Sequence, residues 1–350
     1  MKNLKNIFLV FVVAMLLLIF TGCGNKNESK VATSTTEVEN SEKTESEKTV
    51  ALIPAGDENF WDIIKKGGEK AAKEFGYEIK FYKYSKSADE FQENAVKKAV
   101  SEGVSSLVIA PIHEEIYKAL AVAYDKKIPV VQFLTEYTPE DKYENIKNPV
   151  ISTVLSDNEV AGALCAEELI NKVKEDIKKT KDVYTVGIII SEDNPEKKKV
   201  AEEFAEKFKE IANADEDLKD KFFVIIKSDD DFTEAFEDLY KNKVKAIFMT
   251  EEKIGNVISD YVSADIDKYT DIVFCGFDSG AKQIKWLKSG GKPEFIGGVA
   301  QKYFDLGYNA VRESIMYLEG GEVKSEVNIA VEWYDKENAD KLLQDEILYN

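Results

Sequence analysis

From residue 49 onward the chain alternates short runs rich in Val, Ile and Phe with longer stretches whose apolar positions return every three or four residues. TVALIPA (49–55) reads as a strand that stops at Pro54 and Gly56. Residues 59–75 then place Phe60, Trp61, Ile64, Ala71, Ala72 and Phe75 largely at helical spacing. YEIKFYKY with a helix over 89–101, SSLVIAP with a helix over 114–125, and IPVVQFL continue the series. After a short strand, PVISTVL (149–155), a second series begins: helix 157–174, YTVGIII, helix 195–212, FFVIIK, helix 232–241, KAIFMT, helix 254–264 and DIVFCGF. FIGGVA (295–300), helix 305–318, the run VNIAVEWY (327–334) and a closing helix over 336–347 end the pattern. A strand feeding a helix that returns the chain for a parallel neighbour is the βαβ unit, with right-handed crossovers. Two series of similar length and composition predict an α/β chain of two similar Rossmann-like lobes with parallel sheets, rather than one very wide sheet.

The first 49 residues break this pattern. Lys2 and Lys5 precede the uncharged run IFLVFVVAMLLLIF (7–20), and Thr21-Gly22-Cys23 follows at once. Fourteen apolar residues fall short of the roughly 20 that span a bilayer and fit the hydrophobic region of a secretory signal. The small-small-Cys ending resembles a bacterial lipobox, which implies a signal peptide over 1–22 and a lipid carried by Cys23. Residues 24–49 hold nine Ser or Thr, six Glu and four Lys, with two Val as the sizeable apolar groups. Such a stretch cannot offset its ordering entropy by burial, so 23–49 is expected to be the lipidated Cys and a disordered tether. Its flexible-coil reach is roughly 28 Å. The expected location is the outer face of the cell membrane, anchored by lipid and surface-exposed.

Charge and cysteine narrow the function classes. The chain holds 66 acidic against 47 basic residues, a net charge of −19, without a long Lys/Arg cluster. That argues against nucleic acid as a partner. Beyond Cys23 only Cys165 and Cys275 remain, read as small buried hydrophobes. Two distant thiols and the single histidine, His113, make no zinc constellation. No base–nucleophile arrangement can be assigned, so neither an enzyme nor a cofactor is expected. Asp229-Asp230-Asp231 precedes a helical stretch and reads as a solvated cap favoured by the helix dipole.

Several segments, in order, resemble one family. FWDIIKKGGEKAAKEFG, IPVV, LSDNEVAG, VFCGFDSG and GGVAQKYFDLGYNAV are similar to the type I periplasmic solute-binding proteins, in particular the ribose- and galactose-binding branch serving ABC importers. The resemblance covers residues 50–335. It implies two hinged lobes joined by three crossings with a ligand cleft between them. Lobe 1 is expected to hold 50–155 plus about 290–322, and lobe 2 to hold 156–289 plus about 323–350. The implied partners are a small-molecule ligand and the membrane subunits of an importer. Open α/β sheets bind ligands beyond the carboxyl ends of their strands. Phe60 and Trp61 fall where the family presents an aromatic pair, although either ring can instead join the helix's core face. Asp278 and Gln301 match polar ligand-contacting positions, with capping and hinge roles as their structural alternatives. Asp157 and Asn158 stand at the lobe switch, where capping, hinge and contact roles are all open.

The chain also departs from the family. Where sugar-binding relatives carry an Asp-Arg pair after IPVV, this sequence has Leu134-Thr135, and the second customary arginine is missing from 196–199. Arg312 is the sole arginine. Without bidentate guanidinium donors, planar recognition of ring hydroxyls is lost, and Lys does not reproduce it. Phe60, Trp61, Tyr84, Phe133 and Tyr137 instead suggest a ligand with an apolar face. The expected ligand is an aromatic amino acid, its ammonium paired with Asp278 and its carboxylate on helix N-termini. Sugar or nucleoside binding by the same fold is the alternative. A surface adhesion protein with a host partner is another.

Overall fold

A computed structural model describes residues 48–85, 91–137, 147–192, 194–278 and 280–344. The lipobox, Cys23 and nearly all of the tether lie outside the described residues. One sheet contains β1 (Thr49–Ile53), β2 (Glu78–Phe81), β3 (Ser106–Ile109), β4 (Val130–Phe133), β5 (Val150–Ser156) and β11 (Glu326–Ile329). Its order is β11-β5-β4-β3-β1-β2, and every pair is parallel. The other contains β6 (Tyr184–Ile190), β7 (Phe222–Ser228), β8 (Val244–Met249), β9 (Val273–Phe277), β10 (Glu294–Ala300) and β12 (Glu332–Tyr334). Its order is β12-β10-β9-β8-β6-β7, parallel except where β12 runs antiparallel to β10. The continuous apolar runs are explained at once: β3, β4 and β6 are buried along their whole length, as strands covered on both faces must be.

Helices fill the connections: α1 (Phe60–Phe75), α2 (Phe91–Ser101), α3 (Tyr117–Asp125), α4 (Asn158–Lys179), α5 (Pro195–Ala214) and α6 (Phe232–Lys241). Then follow α7 (Glu252–Ser263), α8 (Ile266–Tyr269), α9 (Ala281–Ser289), α10 (Tyr303–Leu318) and α11 (Ala339–Gln344). No helix among the described residues is long and apolar enough to cross a membrane. Cys165 and Cys275 are free, buried thiols, and Asp231 caps α6 by accepting from the Glu234 amide at 3.0 Å.

The chain passes between the sheets three times: after β5, after β10 and between β11 and β12. These passages are tied to one another. The Asp157 amide donates to the Ile329 carbonyl at 2.9 Å, and the Ser156 hydroxyl donates to Gln301 Oε1 at 2.6 Å. Asp157 also caps α4 through Val160 N–H at 3.1 Å. Sheet membership divides the chain more finely than blocks of sequence. Within 290–322, β10 joins the second sheet while α10 packs on α1 and the first; within 323–350, β11 joins the first sheet and β12 the second. Apolar periodicity identifies a strand but carries no mark of which of two similar sheets will pair with it.

Candidate functional site

Strand exits and helix starts of both sheets meet around a cavity of about 600 Å³. Phe60, the first residue of α1, turns toward it and stacks on Tyr303 at the start of α10, with ring centroids 4.5 Å apart and planes 12° from parallel. Trp61 follows by about 100° around the helix, its ring centroid 5.0 Å from that of Phe60, and sits deeper. It is 4% exposed, edge-on to the fully buried Phe133, and its indole N–H donates to Glu58 at 2.8 Å. Phe60 therefore lines the cavity, whereas Trp61 and Phe133 belong to the core.

Asp278 follows β9 in the left-handed region, φ 68°, a conformation Asp tolerates better than most residues. Gln301 Nε2 and the Tyr303 hydroxyl both donate to its Oδ1, at 2.7 and 2.9 Å. The Tyr334 hydroxyl donates to its backbone carbonyl at 2.9 Å. Burial pushes the Asp278 carboxyl up, against the lowering influence of Lys197 and of the two side-chain donors. A carboxylate from one sheet is thus oriented by a residue of the second crossing and by the first turn of a helix packed on the other sheet.

The departure from the family pattern at Leu134-Thr135 takes a definite shape. Leu134 has φ 65°, and Thr135 N–H reaches back to the Phe133 carbonyl at 2.7 Å, closing a three-residue γ-turn. Leu134 and Thr135 both border the cavity. A branched side chain held there stores backbone strain, of a kind that concentrates where ligands are gripped. Opposite them, Glu196 and Lys197 occupy the start of α5, with the Lys197 ammonium 3.9 Å from the centre of the Phe277 ring. Glu196 spans the gap: its Oε1 accepts the Glu136 amide at 2.7 Å. Burial lifts its carboxyl to about 7.

The remaining sequence-selected residues lie elsewhere. Tyr137 borders a neighbouring cavity of about 380 Å³ beyond Glu196, its hydroxyl donating to Ile112 at 2.9 Å. Asn158 borders another, of about 320 Å³, with Glu136, Glu196 and Lys199. Tyr84 packs edge-on against Phe91, 5.0 Å away, outside the lining of the main cavity. Glu58, Glu251, Glu252, Asn256 and Tyr303 also line that cavity and were not singled out from sequence. The strand-exit rule reaches Glu58, Glu251 and Glu252, which follow β1 and β8 within five residues. His113 is the start of a short helical turn and takes no part in the cavity. Among the described residues, no group of three or more His, Cys, Asp or Glu is arranged to hold a metal ion.

Residues 50–322 match the family model described as a periplasmic binding protein domain. Among solved structures, the ABC transporter, LacI family transcriptional regulator from Brachyspira murdochii superposes with TM-score 0.76 at 22% identity, over 88% of this chain and 100% of that one. A glucose-galactose binding protein from Geobacillus stearothermophilus gives TM-score 0.67 at 19% identity, over 84% and 99%. An ABC transporter solute binding protein from Agrobacterium vitis, bound with alpha-D-tagatopyranose, gives 0.69 at 18%, over 86% and 99%. At these identities the likeness is one of fold. No curated relative matches the chain.

Proposed function

The chain belongs to the periplasmic binding protein domain family, and from that premise we propose that it is the solute receptor of an ABC importer, with a monosaccharide-class ligand held in the 600 Å³ cavity. The observation that carries this reading is the pairing of a flat ring face, Phe60 stacked on Tyr303, with the buried polar set Asp278–Gln301 in one cavity between the sheets. A sugar presents hydroxyls at its edge and C–H groups on its face, and such a site offers partners to both. Neighbours of the same fold support it: those from Geobacillus stearothermophilus and Agrobacterium vitis are sugar binders by their descriptions. This reading replaces the aromatic amino acid. That expectation leaned on a dense ring wall, and two of its five rings, Trp61 and Phe133, pack into the core while Tyr84 lies off the cavity. An amino-acid carboxylate would also enter a site crowded with Glu and Asp.

Thermal-shift and calorimetric titrations of ligand-stripped protein against monosaccharides, nucleosides and aromatic amino acids test the proposal. A monosaccharide is expected to bind and raise the melting temperature. Binding confined to amino acids or nucleosides, or no binding by any class, defeats it. We further propose that Cys23 carries the lipid that holds the receptor at the outer membrane face. Incorporation of an alkyne-labelled fatty acid should be abolished in Cys23→Ser, and labelling that persists would show the lipobox reading to be wrong.

A further inference from the structure

Four strands end the two sheets, and three of them are guarded in the usual ways. β2, β11 and β12 are three or four residues long, and each carries charge: Glu78 and Lys80, Glu326, and Glu332. Short length and charge keep an edge from pairing with another chain. β7 has neither defence. It runs seven residues, with Phe222 to Ile226 uninterrupted by a polar group, and pairs with β6 along its whole length without a bulge. Its single charge, Lys227, is turned aside to Asp238 on α6 at 2.7 Å. Phe223 and Ile226, which point to opposite faces, are 58% and 43% exposed.

The ladder with β6 fixes which backbone groups β7 leaves outward. The Lys221 carbonyl accepts the Tyr184 amide at 2.8 Å, and the Asp229 amide donates to the Ile190 carbonyl at 3.1 Å. Strand residues turn their N–H and C=O to alternate edges. Odd-numbered positions therefore bond β6, while Phe222, Val224, Ile226 and Ser228 offer their groups to the open edge. Among the described residues no second strand flanks β7. Charge gives this row a polarity: Lys221 stands immediately before the strand and Asp229 immediately after it. Asp229 Oδ1 accepts the Asp231 amide at 2.9 Å, and a carboxylate accepts further donors through its other oxygen.

We propose that the open edge of β7 is a self-association surface, on which a second copy of this chain lays its own β7 antiparallel about a twofold axis at Ile225. In that register Phe222 meets Ser228 of the second copy and Val224 meets Ile226. All four belong to the outward-bonding set, so each pair exchanges both of its backbone bonds. A shift of one residue would oppose outward groups to inward ones. Lys221 falls opposite Asp229 twice, by symmetry, whereas parallel pairing would set like charges side by side. Ile226 packs on Val224, and the Lys227 stem covers Phe223. The carboxyl ends of the paired strands point in opposite directions, so the two ligand cavities lie on opposite sides of the dimer and neither blocks the other.

Sedimentation equilibrium of the full chain in density-matched detergent should show a concentration-dependent dimer. Lys221→Asp puts two like-charged pairs into the seam and should raise the dimer dissociation constant by about tenfold or more. Combining it with Asp229→Lys should restore association, with melting curves verifying that each variant is folded. Within one chain the two positions are about 26 Å apart, so a rescue reports contact between copies. Ile225→Cys, on the axis, should form a disulfide-linked dimer in membranes under copper-phenanthroline oxidation, because directly opposed Cα atoms there lie about 4.5 Å apart. Phe223→Cys, more exposed but off the axis, should not, and the parent chain with its native cysteines is the control. A chain that stays monomeric from micromolar to sub-millimolar concentration, whatever else β7 then binds, overturns the inference. So does a dimer that neither responds to the charge exchange nor links through Ile225→Cys.

Discussion

Asp278 is the residue on which the cavity turns, and its environment suits a test without loss of fold. Asparagine tolerates the left-handed φ of 68° and keeps an acceptor for Gln301 and Tyr303. Asp278→Asn should therefore fold normally yet lose about tenfold or more in ligand affinity, since a charge-assisted contact becomes a neutral one; calorimetry beside a melting curve separates the two effects. The adjacent rings give a second, sharper contrast. Phe60→Ala should weaken binding by about 0.5–1.5 kcal/mol with little change in melting, whereas Trp61→Ala should cost about 3–5 kcal/mol of folding stability. The opposite pattern, with Trp61→Ala folded and binding-defective, would put the wrong ring in the wall. Sequence placed both rings at the start of α1, with either able to join its core face. It did not show which one turned inward, because that depends on how α1 sits on its sheet and on Tyr303, some 240 residues away in sequence.

Among the elements, α1 and α10 set the geometry of the first lobe, and glycine lets them do so. A Cβ on Gly67 would lie 2.1 Å from the Phe304 carbonyl oxygen, and one on Gly307 would lie 2.0 Å from that of Ile64. The two backbones touch where those residues sit, so neither neighbour can yield by a rotamer change. Gly67→Ala and Gly307→Ala should each cost about 1–3 kcal/mol or more by overpacking, seen as a lower urea midpoint. An unchanged midpoint would mean that the helices separate freely. Since α10 also carries Tyr303, ligand affinity should fall with them. The strand–helix alternation was legible except at α8 and α9, which no expectation covered, with strands within a few residues of their observed ends. The γ-turn at Leu134 and the partition of β10, β11 and β12 were not: the first is a backbone event without a residue signature, and the second is decided by long-range pairing. The polar end of the cavity was half legible for a related reason. Asp278 and Gln301 stand out as polar residues after apolar strands, whereas Glu58 and Glu252 are hidden in a chain with acidic residues throughout.

At the scale of the whole molecule, the two sheets are joined by three crossings and bridged at the cavity by the Glu196–Glu136 hydrogen bond. That bridge responds to pH in a direction that follows from its surroundings. Burial raises the Glu196 carboxyl from an ordinary 4.5 to about 7, with Lys197 and the Glu136 amide opposing the rise and the Glu136 carboxylate adding to it. A raised acid favours its protonated form in the folded molecule. Its contribution is fully present below about 4.5 and is lost as pH climbs through about 7. Glu136 is itself pushed up, by burial and by Glu326, so acidification quiets repulsion on both sides of the bridge. Glu196→Gln removes the titration while its amide oxygen still accepts the Glu136 N–H. The variant should melt above the parent at pH values past neutrality, by an amount on the order of 1–3 kcal/mol. The two curves should converge as pH falls toward 4.5. Because the bond runs from one lobe to the other, the same shift should favour the bridged arrangement in mildly acidic solution, measurable as a smaller radius of gyration by small-angle scattering. Parallel melting curves across that window would mean that Glu196 titrates as an ordinary surface acid, and the bridge would then carry no pH dependence at all.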